Sequence, residues 1–394
     1  MKKNLKNKML SLVMLTSTLS YANGFVAVIQ SDAEKDFDTN ELITSPSLDP
    51  MAIKTLSCTW GECIGAYNND QAFYINGKGP TPVISNEVGF TETTKVFASS
   101  NYLFIEDDDI FYARGDNGYG SLGVNVSKTI KDVENLTQVV GLSGVIKEIL
   151  PGRATIARTS NGLYFAGDNH LNGYAVDPSR TKGAEFITFQ HFVNSLNVTS
   201  VSMTTASLAY VDEGKLFVIG ENEDGMYGLG SSRANEILST YEEVAGLTNV
   251  QDVFVNRSDG GRMFIIKDGT IWAAGDTTYK MGLDIPESSV ETFRDTGFTA
   301  TELNMYANRN STYLIKNNKL YFSGSDDLSG GFSSEFALVE ATKDMNVKEF
   351  IGDENDIYVL RSDGKTISVN HSGGGEEGES TESFLITDSP FFTD

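Results

Sequence analysis

Met263-Phe-Ile-Ile-Lys-Asp-Gly-Thr-Ile-Trp-Ala-Ala-Gly275-Asp276 reads as a strand, an Asp-Gly turn, a second strand and a glycine that breaks it, a strong short-range signature of a β-hairpin. Its second half recurs. Aligned on the last glycine, the copies are Ala72-Phe-Tyr-Ile-Asn-Gly77, Ile110-Phe-Tyr-Ala-Arg-Gly115, Gly162-Leu-Tyr-Phe-Ala-Gly167, Lys215-Leu-Phe-Val-Ile-Gly220, Thr270-Ile-Trp-Ala-Ala-Gly275 and Lys319-Leu-Tyr-Phe-Ser-Gly324. A weaker seventh copy is Lys365-Thr-Ile-Ser-Val-Asn370. Three residues before the glycine stand Tyr74, Tyr112, Tyr164, Phe217, Trp272 and Tyr321, with Ile367 in the seventh. The glycines are 38, 52, 53, 55 and 49 residues apart, then 46 to Asn370. Short strands repeating at that period specify a β-propeller, because one four-stranded sheet cannot bury both its faces and must stack on a neighbour.

Each repeat parses as four antiparallel strands. Strand A falls at 52–57, 95–98, 146–150, 199–203, 251–255, 302–306 and 347–351, and strand D at 138–141, 185–191, 241–245, 290–296 and 335–340. Strand B precedes the turn and strand C ends at the glycine. The B–C turns carry Asn161-Gly162, Glu213-Gly214, Asp268-Gly269, Asn317-Asn318 and Asp363-Gly364 among others, residues that tolerate positive φ. No segment has helical periodicity, so the fold is all-β, with the propeller over 52–394 and a glycine-rich insert at 371–380. Either 25–30 or 383–387 is placed to complete the last blade.

Residues 1–22 read as a secretory signal: Lys2, Lys3, Lys6 and Lys8, an apolar run, then Ser20-Tyr21-Ala22. A strand and an acidic linker follow over 23–51. The apolar run is too short to span a bilayer and no later run is apolar enough, so a secreted or periplasmic, monomeric protein without a membrane span is expected. Losing four lysines takes the net charge from −24 to −28, which disfavours nucleic acid and anionic lipid. Cys58 and Cys63 flank Thr59-Trp60-Gly61-Glu62 in the first hairpin. Facing hairpin positions meet disulfide geometry and an exported chain is oxidised, so a disulfide is expected ahead of a redox or metal pair.

Gly115-Asp-Asn-Gly-Tyr-Gly-Ser-Leu-Gly123 and Gly220-Glu-Asn-Glu-Asp-Gly-Met-Tyr-Gly-Leu-Gly230 resemble the repeat of the regulator-of-chromosome-condensation family, with weaker copies at Gly167-Asp168-Asn169, at Gly275-Asp276 with Met281-Gly282-Leu283, and at Gly324-Ser325-Asp326. The resemblance covers about residues 52–370 and implies seven blades of four antiparallel strands. The family's tryptophan before the strand-C glycine is missing in every copy. Nuclear members act on a small GTPase and chromatin, which an exported chain of this charge meets nowhere. Exported bacterial members that act by protein binding, β-lactamase inhibitors among them, fit better.

The chemistry-bearing residues are sparse. His170, His191 and His371 fall at different repeat phases, and no nucleophile elbow, H-E-x-x-H or phosphate loop occurs, so no metal, cofactor or catalytic residue is assigned. Asp116, Asn117, Asp168, Asn169, Glu221, Asn222 and Asp276, repeating at one phase, read as caps of their own turns rather than calcium ligands. The repeated aromatics read as interblade core. One asymmetry remains: the A–B loops hold Trp60, Arg153, Arg257, Arg262 and Arg309. Arginine and tryptophan are the hot-spot residues of interfaces. The expectation is a non-enzymatic binding module whose A–B face takes a protein or an anionic glycan. The alternatives are a hydrolase or lyase with its site in the central channel, or an inhibitor of a secreted enzyme.

Overall fold

The computed structural model describes residues 110–352 apart from 171–174, 257–259, 279, 308–310 and 327–330, and on either side of that span the strands named below. It divides into two compact units, Met1–Asp108 with Asn346–Asp394, and Asp109–Met345.

In the first unit, β1 (Val13–Leu15), β2 (Gly24–Ala27) and β3 (Thr44–Leu48) form a three-stranded antiparallel sheet. The strand expected at 25–30 therefore pairs with β1 and β3, and the alternative at 383–387 lies outside the described residues. The first repeat is a sheet of β4 (Ile53–Thr59), β5 (Glu62–Tyr67), β6 (Ala72–Asn76) and β7 (Val83–Asn86) in sequence order. The second repeat begins as the hairpin β8 (Lys95–Ser99) with β9 (Tyr102–Asp107). In the second unit come the hairpin β10 (Ile110–Asp116) with β11 (Asp132–Gln138), then four sheets, each in sequence order. They are β12 (Ile146–Leu150) to β15 (Glu185–Val193) through β13 (Ala154–Thr159) and β14 (Gly162–Asp168); β16 (Val198–Met203), β17 (Ser207–Asp212), β18 (Lys215–Glu221) and β19 (Ile237–Glu243); β20 (Val250–Asn256), β21 (Arg262–Lys267), β22 (Thr270–Asp276) and β23 (Ser289–Thr299); and β24 (Asn304–Ala307), β25 (Ser311–Lys316), β26 (Lys319–Asp326) and β27 (Gly331–Leu338). The seventh repeat, in the first unit, is β28 (Val347–Gly352), β29 (Asp356–Arg361) and β30 (Thr366–Asn370). There β28 lies against β4, and β4 and β5 against β8, so the first and last repeats are neighbours, as a closed propeller needs.

The second strand of a blade reads as an unbroken apolar run because each of its faces is buried against a different neighbour. Met263 and Ile265 join the cluster of Val211, Leu216 and Tyr227 from the fourth repeat. Phe264 and Ile266, on the other face, join Met305 and Leu314 of the sixth. Leu208 and Tyr210 pack with Ile156 and Phe165 of the third repeat, while Ala209 and Val211 turn to the fifth. Phe217, Trp272 and Tyr321 lie at the edges of these interblade clusters, as their phase predicts.

The turns follow their sequences. Glu213-Gly214, Asp268-Gly269 and Asn317-Asn318 all have positive φ at both residues (51° and 74°, 53° and 81°, 49° and 61°), the left-handed pairing that matches strand twist in two-residue hairpins. In the third repeat the turn is Ser160-Asn161, one residue earlier than expected, since Gly162 pairs with Thr159. The fourth strands of the second, fourth and sixth repeats begin earlier than expected, at Asp132, Ile237 and Gly331. Asp132 and Ile237 are exposed and the buried Val133 and Leu238 stand alone between polar or exposed neighbours, so no hydrophobic run marks these starts. In the second to fifth repeats strand C also continues one residue past its glycine, and in the sixth two. The ladder slips at Ala113/Gly115, Phe165/Gly167, Val218/Gly220, Ala273/Gly275 and Phe322/Gly324: the glycine marks a β-bulge, not a strand end.

Candidate functional site

The bulge glycine builds one end of each blade. Gly167 has φ +104°, and a Cβ there would stand 2.2 Å from the Arg153 carbonyl oxygen; Gly275 has φ +113°, with 2.0 Å to the Gly261 oxygen. That closeness lets the next residue cap the A–B loop. The N–H groups of Asp168, Glu221 and Asp276 donate to the carbonyls of Arg153, Ala206 and Gly261 at 2.9, 2.9 and 2.8 Å.

One residue further, Asn117, Asn169 and Asn222 are fully buried. Each closes its own C–D loop. Asn169 Nδ2 donates to the Asp177 and Thr181 carbonyls at 3.1 and 3.2 Å while its Oδ1 accepts from Asp177 N–H at 2.8 Å. Asn222 does the same with the Arg233 carbonyl and Tyr227 N–H, both at 2.7 Å. In the fifth repeat Thr277 takes this place, its hydroxyl donating to Glu287 O. Asp116 and Asp276 accept from the N–H two residues on, each at 2.8 Å. These carboxylates and amides hold loops, as their repetition indicates, and among the described residues no group of three His, Cys, Asp or Glu is placed to hold a metal. His191 stacks on Tyr164 with ring centroids 4.4 Å apart and bonds the Asn161 carbonyl at 3.0 Å.

Of the residues expected on the A–B face, Trp60, Arg257 and Arg309 lie outside the described residues, and Arg153 and Arg262 separate sharply. Arg153 sits between β12 and β13 with its side chain 49% exposed. Its Nη2 donates to Asp168 Oδ2 at 2.9 Å, and its guanidinium lies 4.4 Å from the ring centroid of Tyr119, itself exposed. The A–B and C–D loops thus share one face, and the C–D loop of the second repeat meets the A–B loop of the third. Arg262 is a correction: it is fully buried, the first residue of β21, opposite Gly275. Ala154, Ser207 and Ser311 hold that position opposite Gly167, Gly220 and Gly324. It is an interior strand position, and Arg262 contributes nothing to a contact surface. Counting back from the bulge glycine across the hairpin would have shown this in the sequence.

The same face is acidic beside the fifth repeat. Asp224, in the C–D loop of the fourth, accepts from Gly261 N–H at 3.2 Å. Burial pushes its carboxyl above the usual range and the neighbouring Asp276 adds to that, against the Gly261 bond. Arg153 is thus a fixed cation with an aromatic beside it, and Arg180, in the C–D loop of the third repeat, is another: its Nε donates to Asp177 Oδ2 at 2.8 Å and its guanidinium lies 5.3 Å from the Phe186 ring centroid.

No family model matches the chain. A stretch of 143 residues, 34% of this chain, is 27% identical to the E3 ubiquitin-protein ligase HERC2 of Homo sapiens, and likewise of Mus musculus. The match spans 3% of the length of those relatives. Among solved structures, yeast RCC1 (Prp20), crystallised with Kap60, superposes with a TM-score of 0.59 at 14% identity, over 84% of this chain and 84% of that one. Human WBSCR16 superposes with a TM-score of 0.55 at 14% identity, over 79% of this chain and 87% of that one. With the glycine-anchored repeat, the blade topology and these backbones in agreement, the chain has the seven-bladed β-propeller fold of these structures.

Proposed function

We propose that this propeller is an exported, non-catalytic binding module that takes a protein partner on the face made by the A–B and C–D loops. The reading is carried by the state of Arg153. A guanidinium clamped by a carboxylate and laid on an aromatic ring, yet half exposed, has lost its rotamer entropy before any partner arrives. That is how interface anchors gain affinity. A cation on Tyr119 adds an aromatic surface to the same spot. The partner presents a carboxylate to Arg153 and an apolar group to Tyr119; an acidic glycan offers the first and lacks the second. Propellers of this fold engage proteins, as yeast RCC1 does Kap60. The lysine-headed segment 1–22 supports export, and among the described residues no helix is long and apolar enough to cross a membrane.

The test is affinity capture from envelope and medium fractions with protein beginning at residue 23, followed by titration of the captured partner. Arg153→Ala should weaken binding at least about tenfold, the loss of one hot-spot residue, and Tyr119→Ala comparably. Unchanged affinity in both variants would sink the assignment of this face.

A further inference from the structure

The seventh repeat ends one strand short. The first and the third to sixth repeats each form a four-stranded sheet, while β28, β29 and β30 form a sheet of three. One edge of β30 is taken by β29, and among the described residues no strand pairs with the other. Such an edge carries a row of backbone donors and acceptors that invites a further strand. We propose that Ser383-Phe-Leu-Ile-Thr387, a segment outside the described residues, docks on β30 as its antiparallel fourth strand.

The length of chain between the two fits. From strand C to strand D the connections are 77–82 in the first repeat, 169–184 in the third, 222–236 in the fourth, 277–288 in the fifth and 327–330 in the sixth, or 6, 16, 15, 12 and 4 residues. From Asn370 to Ser383 the connection is 371–382, 12 residues, as in the fifth repeat. The register fits as well. In the fifth repeat Gly275 pairs with Val290. Asn370 stands at the phase of that glycine, and the same offset sets it opposite Leu385, the middle of the segment.

Composition separates linker from strand. Residues 371–380 contain four glycines and no apolar residue, and after β30 the first run of three apolar residues is Phe384-Leu385-Ile386. Serine, glycine and glutamate connect; phenylalanine and isoleucine favour a pleated, half-buried position. The competing segment is committed elsewhere, since β2 is the middle strand between β1 and β3. With 383–387 in place, all four strands of the last blade are consecutive in the chain. The first and last repeats then share no strand, and β28 meets β4 by packing alone.

Hydrogen–deuterium exchange of the whole protein, read by mass spectrometry, tests the docking. Amides of 384–387 should exchange at least about a hundredfold more slowly than those of the glycine-rich stretch 373–379. The test variant carries Leu385→Pro with Ile386→Pro. Successive N–H groups of a strand point to opposite sides, so one of the two prolines removes a donor facing β30 in either register. In that variant protection should be lost over both 384–387 and 366–370, while β18 keeps its own and shows that the variant is folded. Exchange over 384–387 as fast as over 373–379 overturns the proposal. So does a variant in which 366–370 stays as protected as in the wild type, because the segment then docks somewhere other than β30.

Discussion

Asp252, in β20, has both carboxylate oxygens engaged by neighbouring blades. Oδ1 accepts from the Ser200 hydroxyl of β16 at 2.5 Å and from Val253 N–H at 2.9 Å; Oδ2 accepts from the N–H of Leu303, just before β24, at 2.7 Å. One side chain ties the innermost strands of three consecutive repeats with charge-assisted bonds, and its removal strands three partners. Asp252→Ala should cost about 3 kcal/mol, with Ser200→Ala near 1 kcal/mol. Because the two share a bond, their costs should add to more than the double variant loses, measured by urea unfolding. Additive losses would mean the bridge contributes nothing. Residue identity alone did not reveal this role. Asp252 looks like any strand-edge acid until the bulge at Gln251 is known, just as Arg153 and Arg262 look alike until one is found clamped on the surface and the other inside a blade.

At the scale of the element, the hairpins were legible, as were the fourth strands of the third and fifth repeats, while the starts of the other three expected fourth strands were not. A hairpin is local: Asp-Gly or Asn-Asn between apolar runs sets both turn and register. A fourth strand such as β11 opens on exposed Asp132 and is paired by a chain that returns after a loop of some length, so its start leaves no periodic trace. The bulge glycines were seen but misread, because a strand end and a bulge both select glycine. Their difference is testable. Gly275→Ala places a methyl against the Gly261 carbonyl and demands φ +113°, and should cost about 2–4 kcal/mol. Gly269 has φ +81° with open space around it, so its alanine variant bears backbone strain alone, about 1 kcal/mol. Equal thermal midpoints for the two would refute the close-approach account. In the first repeat, the register sets Cys58 directly opposite Cys63, and the export proposed above implies that the two are oxidised. Alkylation under non-reducing conditions should find no free thiol, and closing so short a loop should be worth about 2 kcal/mol against the reduced form.

For the whole molecule, the period alone gave the fold, since blades that bury both faces on their neighbours impose one pattern throughout. Function had no such redundancy. A binding face is written once, in loops that differ from blade to blade, and three of its five expected residues lie where the structure describes nothing. The interblade core makes one global prediction. Tyr210 lies between the third and fourth repeats, ring-stacked on Phe217 at 5.1 Å and edge-on to Tyr241 at 5.3 Å. Burial, with Asp212 adding to it, pushes its phenol from 10.0 up to about 12. Tyr241 is likewise raised by burial, its hydroxyl donating to the Val176 carbonyl at 2.8 Å. A phenol whose folded pKa exceeds its unfolded one favours the folded state fully below the unfolded value. That contribution drains away as the unfolded chain ionises, from pH 10 to about 12 for Tyr210. The window corresponds to roughly 2–3 kcal/mol for Tyr210 alone. The thermal midpoint should therefore fall steeply between pH 10 and 12, and Tyr210→Phe, which keeps the ring stack, should fall less over the same interval. Parallel curves for wild type and variant would show that the interblade tyrosines are wet and that alkaline unfolding begins elsewhere.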